Sequence, residues 1–272
     1  MKARGERIAI VTAYDAPCAR LADRAGIDVI LVGDSIGNNV LGHADTLSVT
    51  MDEMVNHTRA VAHSVRRAFV VGDMPFMSYQ PSTRDAVLNA GRLMSEGRAD
   101  AVKLEGGARS RDAVVAIVAA GIPVMGHIGL TPQSASALGG LRVQGRRAEA
   151  AQRLFEDALA LEAAGVFALV LEAVPSEIAQ VITARLDVPT IGIGAGPHCT
   201  GQVLVMHDLF GLSEHLPRFA KQYADLGAEM LRGFASYCSE VKDGRFPSEE
   251  HSYHMKADEA ERLDSLLSTY GA

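Results

Sequence analysis

Tryptophan is absent from the 272-residue chain, and aromatic residues make up only 5% of it. Basic residues are also in deficit: 26 Lys and Arg stand against 33 Asp and Glu, a formal net charge of −7. Without a dense Lys/Arg cluster or an aromatic strip, the sequence argues against a nucleic-acid partner. Cysteine is scarce as well. Cys18, Cys199 and Cys238 are widely spaced and odd in number, so neither a disulfide framework nor a zinc pattern can be built from them. A reducing, cytoplasmic setting is the simplest expectation. Long apolar runs are missing too. The longest uncharged one, Ala113 to Gly126, is shorter than a bilayer span and is interrupted by Pro123. The charged N-terminal residues are not followed by an apolar signal core before Asp15. No membrane partner is expected.

What the chain does have is a rhythm. Hydrophobic residues make up 48%, ample for a core, and they fall into short β-branched runs. These are Ile8–Val11, Val29–Val32, Phe69–Val71, Ala101–Leu104, Ile122–Met125, Phe167–Leu171, Thr190–Ile193 and Val203–Met206. Little polar alternation interrupts them, as suits parallel strands buried on both faces. Helical periodicity fills most of the gaps, over residues 15–25, 51–66, 83–97, 110–120, 146–164 and 176–185. Thr50-Met51-Asp52-Glu53 reads as a capping box, and Ser82 with Asp85 reads as a second helix start. No clear helix separates the last two strands. Eight strands with intervening helices predict an α/β fold, a single (β/α)8 barrel over 1–272. A helical C-terminal extension runs from about 215, with one long helix at 218–242. An open, doubly wound sheet is the alternative. It lacks a Gly-rich turn after the first strand, and the run Ile191 to Gly196 comes too late and is followed by Pro197.

In such a barrel the chemistry lies where strands end. Five successive strands end in an ionisable group: Gly33-Asp34, Gly72-Asp73, Lys103-Leu104-Glu105, Gly126-His127 and Leu171-Glu172. A single Asp after a strand is usually a helix cap or turn former; five in order are harder to assign that way. Asp34, Asp73 and Glu105 supply hard carboxylate oxygens that would repel one another, and a bound Mg2+ relieves that repulsion. Zinc fits poorly without a His/Cys set. Lys103 and Glu105 are two apart on a strand and share a face. The lysine either binds an anionic substrate beside the metal or forms a plain salt bridge. Glu172 lies further round the ring, free to act as a base. The residue chemistry points to a carbanion made from a small oxo acid. The remaining histidines and the cysteines suggest no ligand set or nucleophile.

Taken together, these segments resemble the ketopantoate hydroxymethyltransferase family. The matching motifs are Thr12-Ala13-Tyr14-Asp15, Val32 to Gly37, Asp73 to Tyr79, Val102 to Gly107, Gly126 to Gln133, Ile191 to Gly196 and Val203 to Asp208. The resemblance runs from about residue 8 to about residue 250. It implies a TIM barrel of the phosphoenolpyruvate/pyruvate-binding type with C-terminal helices. It also implies transfer of a hydroxymethyl group from 5,10-methylenetetrahydrofolate to 3-methyl-2-oxobutanoate through a Mg2+-stabilised enolate, the first step toward pantothenate. Asp34, Asp73 and Glu105 match the family's metal positions. Asp34, Ser35, Asp73 and Lys103 match oxo-acid-binding positions, with His127 a further candidate there, and Glu172 matches the proton acceptor. A homo-oligomer, commonly a decamer, is implied. Departures are modest. Asn38-Asn39 stands where bulkier apolar residues are more usual, Gly97-Arg98 replaces an Ala-Gly pair, and Ala173 occupies a position where a cysteine is frequent. Rival readings are another metal-enolate barrel, such as a C–C lyase or a phosphoenolpyruvate-mutase-like enzyme, a folate-independent aldolase, and a non-catalytic binding barrel. The lyases' Lys-Lys-Cys-Gly-His-like loop is missing here.

Overall fold

The computed structural model describes residues 1–270. Eight parallel strands close into a barrel in chain order: β1 (Ile8–Thr12), β2 (Val29–Val32), β3 (Phe69–Asp73), β4 (Ala101–Glu105), β5 (Val124–Gly129), β6 (Ala168–Glu172), β7 (Thr190–Ile193) and β8 (Gly201–Leu204). β8 pairs back onto β1, with Gly201 opposite Ile8. The helices are α1 (Ala16–Ala25), α2 (Ile36–Asn39), α3 (Met51–Ala62), α4 (Thr83–Ser95), α5 (Arg111–Ala119), α6 (Ala135–Leu138), α7 (Ala148–Ala163), α8 (Ser176–Arg185), α9 (Met206–Leu209), α10 (Leu226–Lys242) and α11 (Ala257–Leu267). The chain divides into two compact units, one from Met1 to Ala224 that holds the barrel and one from Asp225 onward that carries α10 and α11. Among the described residues no helix is long and apolar enough to cross a membrane.

Local sequence explains the helix starts. Thr50 accepts the Glu53 N–H while the Glu53 carboxylate accepts the Thr50 N–H, so two donors that the helix leaves unpaired are satisfied. Ser82 caps α4 and Asp15 caps α1 in the same sense. Two of the boundaries that differ from the sequence reading have clear local causes. β8 spans Gly201–Leu204 rather than Val203–Met206: it starts where Gly201 pairs with Ile8, and it ends where the Met206 N–H turns away to donate to Thr12 Oγ1 at 3.0 Å and opens α9. The long helix begins at Leu226 rather than near 218. Asp225 supplies its cap, and residues 217–220 form a separate turn closed by the Ala220 N–H on the Pro217 carbonyl.

The pleat sorts the strand residues into two cores. Val70, Val102, Leu104, Ile128, Leu169 and Leu171 face outward and pack under the helices. Leu31, Val71, Ala101, Met125, Ala168, Val170, Ile191 and Val203 face inward and plug the barrel. Two residues further along the same inward faces stand Asp73, Lys103, His127 and Glu172, with Glu105 two beyond Lys103. An apolar floor therefore lies directly beneath an ionisable layer.

Some backbone positions carry strain or need glycine. Gly129, at φ 97°, ends β5 where a Cβ would lie 2.2 Å from the Glu172 carbonyl oxygen. Arg98 adopts φ 61° between α4 and β4, a left-handed conformation that an L side chain disfavours. The Gly97-Arg98 order thus puts a side chain where the more usual order would place glycine. Gly97 in turn has no room to become alanine, since its Cβ would meet the Leu93 carbonyl at 2.6 Å. Arg98→Gly is expected to stabilise the protein by about 1 kcal/mol, read as a higher Tm. An unchanged or lower Tm would show that Arg98 carries no strain.

Candidate active site

The ionisable layer surrounds a cavity of about 110 Å3 at the C-terminal mouth of the barrel. Asp34, Ser35, Asp73, Lys103, Glu105, His127 and Glu172 all line it. Strand register dictates who meets whom. Asp73 lies opposite Lys103 and Glu105 opposite His127, while Glu172 sits at the end of β6 opposite Gly129.

The contacts follow from that register. The Lys103 ammonium donates to both Asp73 oxygens at 2.8 Å and stands 3.9 Å from Glu105 Oε1. The Asp34 N–H donates to Asp73 Oδ2 at 3.2 Å. The His127 ring bridges two carboxylates, with Nδ1 3.4 Å from Glu105 and Nε2 3.2 Å from Glu172. Neither nitrogen is aligned for a hydrogen bond, so that pairing is electrostatic. His127 and Glu105 are closed off, at 2% and 1% side-chain exposure, whereas Glu172 is 17% exposed and opens to the mouth.

Burial is the largest single influence on Asp34, Asp73, Lys103, Glu105 and His127. It pushes Asp34 well above the usual carboxylate range, reinforced by the neighbouring Asp73 and Glu105. Asp73 is also raised by burial, with Lys103 opposing. Glu105 goes the other way. Burial would raise it, but His127, Lys103 and the Gln133 N–H together hold it below its ordinary value. Burial opposes the charged forms of Lys103 and His127, yet the surrounding carboxylates win and raise both. Three buried carboxylates thus share one lysine and one histidinium.

Gln133 was not singled out by sequence reasoning, and it ties the acidic set together. Its Nε2 donates to Asp34 Oδ2 at 2.8 Å and to the Met74 carbonyl at 3.0 Å. Its backbone N–H donates to Glu105 Oε2 at 3.1 Å. The Tyr79 hydroxyl donates to Gln133 Oε1 at 2.8 Å and accepts the Glu105 N–H at 3.2 Å. On the far side, the Tyr14 hydroxyl holds Ser35 Oγ at 2.8 Å. Gln133 lies in the 3-10 turn Pro132–Ser134, past the strand end and in no periodic pattern. Only its place in a long motif marked it. Cys18 is no candidate nucleophile, because burial and Asp15 push its thiol up to about 11.

The arrangement has a pH signature. Raised carboxylates bind protons in the folded chain that the unfolded chain releases, so stability falls as pH rises through their folded pKa values. Lys103→Met removes the main compensating charge. In metal-free buffer at about pH 8 it is expected to cost about 3 kcal/mol or more. Toward about pH 5 the gap to wild type narrows as Asp34 and Asp73 take up protons. Denaturant titrations at both pH values check this, and a gap that does not change with pH would count against the charge balance described.

Comparison with known proteins agrees with the motifs. A sequence profile of the ketopantoate hydroxymethyltransferase family matches residues 1–249. The 3-methyl-2-oxobutanoate hydroxymethyltransferase of Moorella thermoacetica is 61% identical over 254 residues, covering 93% of this chain and 94% of the relative. That of Geobacter sulfurreducens is 58% identical, covering 93% and 95%. Among solved structures, 2,3-dimethylmalate lyase, a member of the phosphoenolpyruvate mutase/isocitrate lyase superfamily, superposes with a TM-score of 0.61. It covers 98% of this chain and 91% of the lyase at 17% identity, a likeness of fold. The barrel, the match along residues 1–249 and the identity to these relatives lead to one assignment: the chain belongs to the ketopantoate hydroxymethyltransferase family.

Proposed function

We propose that this enzyme transfers a hydroxymethyl group from 5,10-methylenetetrahydrofolate to 3-methyl-2-oxobutanoate, giving 2-dehydropantoate and tetrahydrofolate on the way to pantothenate. The observation that carries the reading is the chamber itself. Small and walled by an apolar floor, it presents one half-open carboxylate, Glu172, opposite a buried lysine–carboxylate cluster. The names borne by relatives of 54–61% identity supply the oxo-acid substrate and the group transferred.

The donor set fits a hard divalent cation. Asp34 and Asp73 are raised by burial, and Asp34 further by its carboxylate neighbours, and a cation relieves that energy. Among the described residues no three His, Cys, Asp or Glu side chains are gathered tightly enough to ligate an ion by themselves. That suits Mg2+, which is commonly held by one or two carboxylates with water and substrate oxygens completing its shell. Asp34 and Asp73 would hold it, with Glu105 as the third acidic partner. Bound there, Mg2+ supplies Lewis acidity toward the keto oxygen of the substrate.

The chain's own groups do the rest. Ser35, fixed by Tyr14, donates to the substrate carboxylate. Lys103 places its charge beside the oxygen on which negative charge develops. Glu172 takes the proton from C3, while His127 at 3.2 Å holds that carboxylate in place. A C–C bond then forms between C3 and the one-carbon unit. Water supplies the product hydroxyl, and the C3 proton and one water proton end on the two folate nitrogens. The working assembly in this reading is a cytoplasmic homo-oligomer, a decamer.

Proton abstraction is testable without folate. In D2O with 3-methyl-2-oxobutanoate and Mg2+, the C3–H signal is expected to exchange. Glu172→Gln should slow that exchange by about a hundredfold or more. Exchange unaffected in Glu172→Gln would remove this residue as the base, and exchange that survives EDTA would remove the metal. With both substrates present, product should form only when methylenetetrahydrofolate is supplied; product without it would identify a folate-independent aldolase.

A further inference from the structure

Beside Glu172 the rim opens into a second, much larger cleft of about 890 Å3. The two cavities meet along the chain itself. Glu172 and Ile193 line the small chamber, and the next residues, Ala173 and Gly194, line the cleft. The backbone turns sharply at this seam. Ala173 takes φ 46°, left-handed for a non-glycine, and Gly194 takes φ 65°. The Ala173 N–H donates to the Ile193 carbonyl at 2.8 Å, which locks the seam.

Three side chains give the cleft its chemistry. Phe219 packs against Gly194, where an added Cβ would lie 2.8 Å from the ring, and it remains 41% exposed. Glu177, at the start of α8, and Arg218 are both exposed at its walls. Neither belongs to any ion pair among the described residues, although they face the same space with opposite charge. Unpaired charges of both signs beside a half-exposed aromatic, in a cleft of ligand size, mark a site for an amphoteric flat molecule.

We propose that this cleft binds the reduced pterin co-substrate, with Phe219 stacked on the ring, Glu177 accepting the amino-pyrimidinone N–H edge and Arg218 facing the glutamyl carboxylates. The inference rests on the folate-dependent reading above. A flat heteroaromatic prefers an aromatic face. A carboxylate accepts paired N–H donors, and a guanidinium matches carboxylates. The cleft opens on the side of Glu172, so a one-carbon unit held there arrives next to the carbon that Glu172 deprotonates. A cleft of about 480 Å3 on another part of the rim is less suited. It meets the chamber at Glu105, whose carboxylate is 1% exposed, next to the Tyr79–Gln133 contacts.

Steady-state kinetics on the full-length enzyme test the assignment, with both substrates varied independently. Phe219→Ala and Glu177→Gln are expected to raise KM for methylenetetrahydrofolate about tenfold while KM for 3-methyl-2-oxobutanoate stays within about twofold. Arg218→Gln should raise KM for the glutamylated donor and leave that for 5,10-methylenetetrahydropteroate, which keeps N10 but lacks the glutamyl tail, unchanged. Phe219→Leu keeps the packing on Gly194 if the alanine variant folds poorly, and it should show the same split. Donor KM values at the wild-type level in both Phe219→Leu and Glu177→Gln overturn the cleft while leaving the reaction standing. Wild-type turnover that needs no folate overturns the reaction reading and this site with it.

Discussion

Like charges in a dry space repel, and the barrel mouth concentrates three carboxylates where water cannot screen them. Most of the local architecture offsets that one cost. Lys103 sits across both oxygens of Asp73, His127 stands between Glu105 and Glu172, and Gln133 ties Asp34 to Glu105. Burying a charge without a partner costs several kcal/mol, so these groups are needed before any chemistry begins.

Parallel-strand geometry makes such crowding possible. Side chains at alternate positions of one strand share the interior, and neighbouring strands hold their partners at fixed register. Val71 below Asp73, Ala101 below Lys103, and Met125 below His127 form a rigid apolar floor. Rigidity matters because an electrostatic site works when its dipoles and charges need not reorganise during reaction. Outside the floor the same pleat sends Leu104, Ile128 and Leu169 into the helix layer, which clamps the strands from behind.

The rim is built on a different principle. Around Glu172 the backbone turns through left-handed conformations, strained at Ala173 with φ 46° and free of that cost at Gly129 with φ 97°. The result is a small closed chamber next to a wide open cleft. The family relatives share more than half of their residues with this chain, whereas the dimethylmalate lyase shares the barrel at 17% identity. Barrel geometry therefore outlasts sequence, and the loops carry what is particular to each member.

Much of this was legible from sequence. β-branched runs and capping boxes are local signals, so the eight strands and the starts of α1, α3 and α4 could be placed from neighbours a few residues apart. Acidic strand ends were equally visible, because in a parallel barrel every strand finishes at the same mouth. The residues Asp34, Asp73, Lys103, Glu105, His127 and Glu172 could be named on that ground, and Ser35 on the family motif that contains it. What the sequence could not set were relations across the ring. Gln133 meets Asp34, 99 positions away. Whether Lys103 chooses Asp73 or Glu105 depends on strand register, which brings its ammonium to 2.8 Å from Asp73 but leaves it 3.9 Å from Glu105. The start of α10 moved to Leu226 because a cap and a turn outweighed periodicity. The acidic strand ends were written in the chain itself, but their division into a buried, lysine-bridged cluster and one partly exposed carboxylate was decided only by closing the barrel. Burial and register exist only between strands, and they determine which carboxylates are pushed up, which is held down and which faces the mouth.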